Sequence, residues 1–200
     1  MSKTGNMEKN KDFYNLCYKN GGSNKEYFKN PDDCIYADVW KEIVNILKNI
    51  KKLDIIDFGC GNGQFSRYIQ NKLDINKYIG YDFSNFAINY ANKNNKNINF
   101  TYEIKNFNNM EKINLTNKTF ICLEVLEHIN NDLNIIKKMT SESEFVFSVP
   151  NYNSKGHVRI FKDKSEIYKR YDKLLNIENI NIVNIGKHGN KIFIFYGTIK

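Results

Sequence analysis

The sequence predicts a single α/β domain with a mostly parallel, seven-stranded sheet that helices cover on both faces. After residue 52, short runs rich in β-branched and aromatic residues alternate with helical stretches, as in parallel strands joined by helices. The last two β runs, 180–185 and 192–199, are separated only by a short glycine-containing link, which predicts an antiparallel hairpin at one edge. A length of 200 residues fits one domain of this kind.

The predicted elements begin with a helix over residues 36–50, where apolar residues recur at helical spacing and Asp32 or Asp33 is the expected N-terminal cap. Strands are predicted at residues 53–58, 78–81, 98–104, 119–123, 144–149, 180–185 and 192–199. Further helices are predicted at residues 64–73, 86–93, 132–139 and 165–171. Residues 1–35 are polar with interspersed aromatics, which predicts an N-terminal arm or lid before a domain that spans residues 36–200.

The composition excludes several classes of protein. Hydrophobic residues make up 41% and charged residues 26%, which is typical of a globular chain, and no apolar run approaches the ~18 residues of a membrane span. The net charge of +8 comes from lysines spread among asparagine and isoleucine, with only three arginines, so a nucleic acid is not the expected partner. Four scattered cysteines without a CxxC pair predict reduced thiols and a cytoplasmic protein.

The most specific motif is Asp57-Phe58-Gly59-Cys60-Gly61-Asn62-Gly63, which lies between the predicted strand 53–58 and a predicted helix. Glycines at such a turn let the backbone approach a ligand closely, and ligands of open α/β sheets bind beyond the carboxyl ends of the strands. The dinucleotide fingerprint GxGxxG places its third glycine one residue later, at Gln64, so the loop fits a nucleoside and amino-acid moiety better than a pyrophosphate.

Polar residues also follow the next two predicted strands. Asp82 ends the second strand, about twenty residues after the glycine loop, where a carboxylate can accept hydrogen bonds from both hydroxyls of a ribose. Asn106 follows the third strand and is expected to hydrogen-bond an adenine edge, with Phe107 packing against the ring. Together with the glycine loop, these residues predict a nucleoside site.

These motifs resemble those of the class I S-adenosylmethionine-dependent methyltransferases, and the resemblance extends from about residue 53 to residue 150. It implies a Rossmann-like three-layer α/β/α domain and S-adenosyl-L-methionine as cofactor. The cofactor-binding residues that it implies are Asp57, Gly59, Cys60, Gly61, Asp82, Phe83, Asn106, Phe107, Leu123 and Glu124. One departure is Asn106, where many members of the class carry aspartate. The aromatic arm between Tyr14 and Phe28 is expected to fold over the bound cofactor.

The segment Glu124-Val125-Leu126-Glu127-His128 follows the predicted strand 119–123, beside the expected position of the methyl donor. His128 can act as a general base on an acceptor hydroxyl, with Glu127 or Glu124 orienting it. Alternatively, Glu124, Glu127 and His128 can bind Mg²⁺ or another divalent ion that lowers the pKa of the hydroxyl. The segment resembles that of ubiquinone-biosynthesis O-methyltransferases and small-RNA 2′-O-methyltransferases, where it is associated with a metal. A third interpretation is that the two glutamates only cap and solvate the following helix.

The loop after the strand 144–149 contributes His157 and Arg159. Arginine is scarce in this chain, and a guanidinium can bind an anionic acceptor such as a phosphate or carboxylate. The catalytic residues predicted from the sequence are therefore His128, Glu127, His157 and Arg159. The pattern His157-Val158-Arg159-Ile160-Phe161 looks like the acceptor-side loops of methyltransferases of cell-surface sugar and related pathways. The alternative is that these are surface loop residues without a ligand. His188, in the link of the final hairpin, is interpreted as a turn residue.

The predicted function is O-methylation of a small polar or anionic metabolite, such as a sugar or a phosphorylated or cell-envelope precursor. Methyl transfer from a sulfonium requires mainly alignment of donor and acceptor, and a hydroxyl acceptor must also lose a proton. The alternatives are an RNA methyltransferase, a non-catalytic cofactor-binding protein and a nicotinamide-dependent reductase. The sequence does not predict the acceptor's identity or the oligomeric state.

Overall fold

The computed structural model describes residues 2–3, 5–50, 53–113, 115–186 and 189–200. Among them, α-helices and strands alternate from residue 37 to residue 104. The strands are β1 (Ser2–Lys3), β2 (Leu53–Phe58), β3 (Ile75–Asp82), β4 (Phe100–Ile104), β5 (Thr119–Leu123), β6 (Glu144–Pro150), β7 (Arg159–Ile160), β8 (Leu175–Asn184) and β9 (Lys191–Ile199). The α-helices are α1 (Lys11–Asn20), α2 (Ala37–Leu47), α3 (Gln64–Ile69), α4 (Asn85–Asn94), α5 (Asp132–Ile136) and α6 (Lys164–Tyr171). None of these helices has the length and apolarity needed to cross a membrane.

Seven of the strands form one mixed sheet in the order β4-β3-β2-β5-β6-β9-β8. The β2–β3, β3–β4 and β5–β6 pairs are parallel, whereas β9 runs antiparallel to both β6 and β8. The predicted mostly parallel sheet with a C-terminal antiparallel hairpin is therefore confirmed. The chain divides into two compact units: an N-terminal unit, Asn10–Asn106, and a C-terminal unit, Phe107–Lys200 together with Met1–Lys9. The boundary predicted after residue 35 stays a prediction.

The N-terminal unit is built on three adjacent parallel strands with a buried apolar core. Its most buried side chains include Ile43, Leu47, Ile55, Phe58 and Tyr78. In the register of β2 and β3, Asp57 lies opposite Gly80, so the start of the glycine loop is next to the last residues of the neighbouring strand. This pairing brings the carboxyl ends of β2 and β3, and hence the predicted cofactor residues, to the same edge.

Part of the predicted arm is a regular helix that the sequence did not reveal. Asn10 caps α1 by accepting a hydrogen bond from the backbone N–H of Phe13 (3.1 Å), and Gly21 ends it in a left-handed conformation with φ of 80°. Asparagine before a helix and glycine after it are favoured caps. The helix is difficult to recognise in the sequence because most of its residues are polar and none of its side chains is fully buried.

The predicted capping of α2 by Asp32 or Asp33 is wrong. Pro31–Asp33 form a separate 3-10 turn, in which the side chain of Asn30 accepts from the N–H of Asp32 (3.1 Å). The helix itself starts after Tyr36, whose side chain makes no capping hydrogen bond. The proline at the first position of the turn fixes its start, which explains why the aspartates belong to the turn and not to the helix.

The C-terminal unit contains four strands of the sheet, and the last two of them, β8 and β9, form the final hairpin. Its edge strand β8 begins five residues before the predicted start, because polar, solvent-facing residues such as Asn176 and Glu178 conceal it. The register of β8 and β9 shifts between Ile177 and Asn179. Opposite this bulge, Gly197 has a φ of 151°, and a Cβ there would lie 1.9 Å from the carbonyl oxygen of Asn176. The interpretation of His188 as a turn residue lies outside the described residues.

Candidate active site

Asp82 is buried at the end of β3, with only 4% of its surface exposed. Its Oδ2 accepts the N–H of Gly61 (3.0 Å) and its Oδ1 accepts the N–H of Ser84 (2.8 Å). Burial raises the pKa of Asp82 to about 6, although the backbone hydrogen bonds oppose this shift. Because an ionised carboxylate has about four acceptor sites, Asp82 retains the capacity to bind two hydroxyls.

The glycine loop is closed on its inner side by Asp57, which accepts a hydrogen bond from the hydroxyl of Tyr78. Burial raises the pKa of Asp57 to about 7, and the negative charge of Asp82 adds to this shift. Two buried carboxylates therefore share one end of the N-terminal unit without a cationic partner in the hydrogen bonds and ion pairs described for them. Such a pair favours a ligand that brings positive charge.

Helix α1 covers the glycine loop. Gly61 has a φ of 55°, and a Cβ at this position would lie 2.7 Å from the hydroxyl oxygen of Tyr18. The side chain of Asn15 accepts from the Ser84 hydroxyl (2.7 Å), and the Tyr14 and Phe83 rings are in contact at 5.3 Å between centroids. These contacts place α1 beside the glycine loop, and the expectation that the aromatic arm folds over a bound cofactor stays a prediction.

A second set of contacts ties the loop to the segment after α1. The side-chain amide of Gln64 donates to the carbonyl oxygens of Glu26 (2.9 Å) and Lys29 (3.0 Å). Asn62 donates in the same way to the carbonyl of Tyr27, while the guanidinium of Arg67 donates to the carbonyl of Asn62 (2.7 Å). Asn62 of the loop is therefore held at its side chain by the carbonyl of Tyr27 and at its own carbonyl by the guanidinium of Arg67.

The remaining predicted cofactor residues are placed less uniformly. Cys60 is buried, and its thiol faces Gly80, where a Cβ would lie 2.8 Å from the sulfur, so only its backbone is available to a ligand. Asn106 is exposed at the end of the N-terminal unit, whereas Phe107 is buried and belongs to the C-terminal unit. Leu123 is half-buried at the end of β5.

Glu124 directly follows β5 and has a φ of 55°, which is uncommon for a residue other than glycine. Its N–H donates to the hydroxyl oxygen of Ser148 (3.1 Å), and the same hydroxyl donates to Oε1 of Glu124 (2.9 Å). Burial raises the pKa of Glu124 to about 8. Strained backbone of this kind is concentrated at functional sites, because the surrounding structure must hold it in place.

Glu127, His128 and His157 form a cluster in the C-terminal unit, in which Glu127 and His157 are buried and His128 is partly exposed. Oε1 of Glu127 lies 3.6 Å from Nε2 of His128 and 3.9 Å from Nε2 of His157, and the two imidazole rings are 4.6 Å apart between centroids. Glu127 is completely buried, and neither carboxylate oxygen has a hydrogen-bond partner among the described residues. A buried polar group without a partner is costly, so the cluster favours a bound ligand or proton.

Both imidazoles of the cluster favour the neutral form, in which a ring nitrogen can bind a metal ion. Burial and the neighbouring His157 lower the pKa of His128 to about 3, and burial also lowers the pKa of His157. Nδ1 of His157 lies 3.1 Å from the carbonyl oxygen of Tyr152, which makes this nitrogen the donor and leaves a lone pair on Nε2, towards Glu127. Burial and the charge of Glu124 raise the pKa of Glu127 well above its usual value.

The cluster fits a divalent cation, because its three ligand atoms all lie within 4.8 Å of one another. Neutral imidazole nitrogens with one carboxylate are a ligand set that first-row transition metals accept. The structure brings Glu127, His128 and His157 together, whereas the carboxylate of Glu124 accepts from Ser148. The metal triad of Glu124, Glu127 and His128 stays a prediction. The sequence predicts His157 only as a residue of the acceptor loop, because no local motif connects it with Glu127.

Arg159 is placed differently from its sequence-based role. It is 4% exposed, and its guanidinium donates to the carbonyls of Leu126 and Asn130 and lies 3.3 Å from the carboxylate of Asp132. Arg170 and the Tyr171 hydroxyl bind the same carboxylate. These contacts occupy the guanidinium within the protein, so they speak against its use as a ligand for an anionic acceptor.

The sheet order, the glycine-rich loop after β2 and the buried acid at the end of β3 define a class I methyltransferase. The family described as "Methyltransferase domain" matches residues 49–194. The chain belongs to this family, and the resemblance to S-adenosylmethionine-dependent methyltransferases is confirmed at this level; its predicted branch stays a prediction.

One relative in sequence is "Putative methyltransferase 235L" of Invertebrate iridescent virus 6, which is 27% identical over 148 residues. The match covers 68% of this chain, and the chain spans about half of that relative, 55% of its length.

Solved structures agree on the fold. Magnesium protoporphyrin IX methyltransferase from Synechocystis PCC 6803, with bound SAH, superposes with a TM-score of 0.70 at 15% identity, covering 95% of this chain and 97% of the other. N-methyltransferase NodS from Bradyrhizobium japonicum WM9, in complex with S-adenosyl-L-homocysteine, gives 0.68 at 12% identity, covering 92% and 97%.

Proposed function

We propose that the chain is an S-adenosyl-L-methionine-dependent O-methyltransferase that acts on a hydroxyl of a small polar metabolite. Membership of the methyltransferase-domain family and structural neighbours with bound SAH support the cofactor. The observation that carries the choice of an oxygen acceptor is the cluster of Glu127, His128 and His157. An amine acceptor needs only to be neutral, whereas a hydroxyl must lose a proton, and this cluster provides groups that can promote the loss.

For the cofactor, we propose that Asp82 accepts hydrogen bonds from the ribose hydroxyls and that the loop from Gly59 to Gly63 passes along the nucleoside and the methionine portion. Asp57 and Asp82 contribute negative charge to a ligand that carries a sulfonium. Tyr18, beside Gly61, covers the loop and keeps water from it.

For the acceptor, we propose a divalent cation held by Glu127, His128 and His157 in preference to a general base. The low pKa of His128, about 3, makes its imidazole a weak base, whereas metal ligands must be neutral imidazoles. A bound cation would also give the unpartnered carboxylate of Glu127 a partner. Such an ion lowers the pKa of a hydroxyl that it binds.

The predicted acceptor class is narrowed by the position of Arg159. Since its guanidinium is bound to Asp132 and to two carbonyls, it gives no support to the phosphorylated or other anionic acceptors expected from the sequence. We therefore propose a neutral hydroxylated acceptor, such as a sugar. An RNA 2′-hydroxyl is the alternative that the same cluster chemistry allows.

The test is a methyl-transfer screen with a labelled donor against sugars, phosphosugars, quinone-type phenols, amines and RNA. Each acceptor is assayed with EDTA and with added Mg²⁺ or Mn²⁺. The expected result is transfer to a neutral hydroxylated small molecule that EDTA abolishes and metal restores. Transfer to amines alone contradicts O-methylation, and transfer unchanged by EDTA contradicts the cation.

Two variants make the screen specific. Asp82→Asn is expected to lower transfer because it weakens cofactor binding, whereas His157→Gln is expected to lower it with cofactor binding unchanged. The matched control Asp54→Asn changes a carboxylate on β2 that accepts a hydrogen bond from the side-chain amide of Asn76 (2.5 Å). A loss of transfer in this control would show that the assay reports stability and not the site.

A further inference from the structure

The turn that carries Glu127 and His128 is held at both ends by a single guanidinium. Nη1 of Arg159 donates to the carbonyl of Leu126, the residue before Glu127, and Nη2 donates to the carbonyl of Asn130 (3.0 Å), two residues after His128. Guanidinium groups can span two acceptors because their donors are arranged in a rigid fork, which a lysine ammonium lacks. Arg159 therefore fixes the length and orientation of this turn.

The same arginine lies two residues after His157 in the chain. Between them, the backbone N–H of Val158 donates to the carbonyl oxygen of Glu127 (2.8 Å). A short antiparallel ladder and one side-chain amide also hold this segment, since β1 pairs with β7 and Asn6 donates to the carbonyl of His157 (3.3 Å). The segment of His157 and the turn of His128 are thus joined by the backbone N–H of Val158 and by the guanidinium of Arg159.

Asp132 determines where the guanidinium of Arg159 lies. This carboxylate is fully buried and binds Arg159 (3.3 Å), Nε of Arg170 (2.7 Å) and the hydroxyl of Tyr171 (2.7 Å). A buried ion pair with these additional hydrogen bonds is strongly disrupted when one partner is removed, because the remaining charge is left without compensation. Asp132 therefore anchors the guanidinium of Arg159 through Nη1, the nitrogen that also donates to the carbonyl of Leu126.

We propose that Arg159 and Asp132 form a positioning pair, which sets the relative placement of Glu127, His128 and His157 and does not contact the acceptor. This inference rests on the proposed function for its catalytic consequence, while its geometric consequence can be measured in the free protein. It assigns Arg159 a role that differs from the anion-binding role expected from the sequence. It also assigns a role to Asp132, for which the sequence predicts only a place in a helix.

The test measures the distance between the two imidazoles directly. The chain contains only three histidines, so selective histidine labelling gives few signals, and single His→Gln variants assign them. At 4.6 Å between ring centroids, His128 and His157 are expected to give a nuclear Overhauser effect between their ring protons in metal-free protein. Arg159→Lys and Asp132→Asn are expected to weaken this effect severalfold while the protein remains folded.

The controls separate positioning from general stability. Asp163→Asn makes the same chemical change as Asp132→Asn at the exposed cap of α6, and it is expected to leave the imidazole signal unchanged. If Asp132→Asn does not fold, Arg159→Lys decides alone, because it retains the positive charge that balances Asp132. An undiminished Overhauser effect in folded Arg159→Lys overturns the proposal.

Kinetics provide a second readout. Positioning predicts that kcat falls about tenfold in both single variants with the acceptor KM unchanged, and that the double variant is no worse than either. A rise in KM with kcat unchanged would instead show that Arg159 binds the acceptor, and would overturn the proposal. If the wild-type protein transfers no methyl group, the proposed function fails, but the imidazole measurement still decides the inference.

Discussion

The candidate cofactor site in the N-terminal unit and the Glu127 cluster in the C-terminal unit bury carboxylates in opposite ways. In the N-terminal unit, Asp57 and Asp82 lie beside each other, and both accept hydrogen bonds from the protein. In the C-terminal unit, Glu127 is equally buried, but its oxygens face two imidazoles and have no hydrogen-bond partner among the described residues. The first site is preorganised and needs only its ligand's hydroxyls and positive charge. The second is incomplete until a cation or a proton enters, so the two sites should respond differently to substitution.

The largest effect is expected from Asp82→Ala, which removes the acceptor for the Gly61 and Ser84 N–H groups together with the proposed ribose contact. Loss of about 3 kcal/mol corresponds to roughly a hundredfold weaker binding of S-adenosyl-L-methionine. Isothermal titration calorimetry measures this loss, with Asp54→Ala on β2 as the matched control. Affinity within about twofold of the wild type would remove Asp82 from the cofactor site.

A smaller effect, on a different ligand, is expected from Glu127→Gln. The cluster geometry predicts that Mn²⁺ binding weakens by about tenfold or more, because the only carboxylate of the group is lost. Binding of S-adenosyl-L-methionine is expected to stay unchanged. Paramagnetic titration with Mn²⁺ measures the first and calorimetry the second.

The matched variant Glu124→Gln distinguishes the structure's group from the triad predicted by sequence. Glu124 accepts from Ser148 and is outside the cluster, so its substitution is expected to leave Mn²⁺ affinity within about twofold. Equal losses in the two variants would restore the sequence-based triad of Glu124, Glu127 and His128.

The pH dependence of cofactor binding is expected to come from the N-terminal site. Burial raises the pKa values of Asp57 and Asp82 to about 7 and about 6, and a cationic ligand favours their ionised forms. Affinity should therefore rise by up to about tenfold between pH 5 and pH 8, as both groups lose their protons, and then level off. Calorimetry in buffers of different ionisation enthalpy measures the accompanying proton release.

The variant Asp57→Asn tests the origin of that dependence. It retains an acceptor for Tyr78 but removes the group with the higher pKa, so the remaining rise in affinity should be centred near pH 6. An unchanged profile would mean that neither buried carboxyl controls binding.

The smallest effect is expected from Asn10→Ala at the start of α1. Loss of the hydrogen bond from the Phe13 N–H should destabilise the helix by about 1 kcal/mol. Since α1 places Tyr18 over Gly61, faster hydrogen exchange of its amides and a several-fold faster release of the cofactor are expected. Mn²⁺ binding, which depends on the other unit, should not change.

The sequence predicts most of the sheet because each strand is a buried, β-rich run bounded by turn residues. Its failures have local causes: most residues of α1 are polar and none is fully buried, and exposed polar residues interrupt β8. The glycine loop and Asp82 could be predicted because the loop is a contiguous motif and Asp82 follows it at a characteristic spacing, at the end of the next strand. The meeting of Glu127 with His157, thirty residues apart, depends on tertiary structure, and so does the burial of Arg159 by Asp132.

The three arginines of this lysine-rich chain have one use in common. Arg67 donates to the carbonyl of Asn62 in the glycine loop, Arg159 spans two carbonyls, and Arg170 holds a buried carboxylate through two nitrogens. Arg159 and Arg170 each bond through two nitrogens of the planar fork, which an ammonium cannot replace, whereas Arg67 makes one described hydrogen bond. In a mutational scan, exchange of arginine for lysine, which a single-base change can produce, should be the most damaging conservative substitution. Most of the lysine positions should accept the reverse exchange, of lysine for arginine.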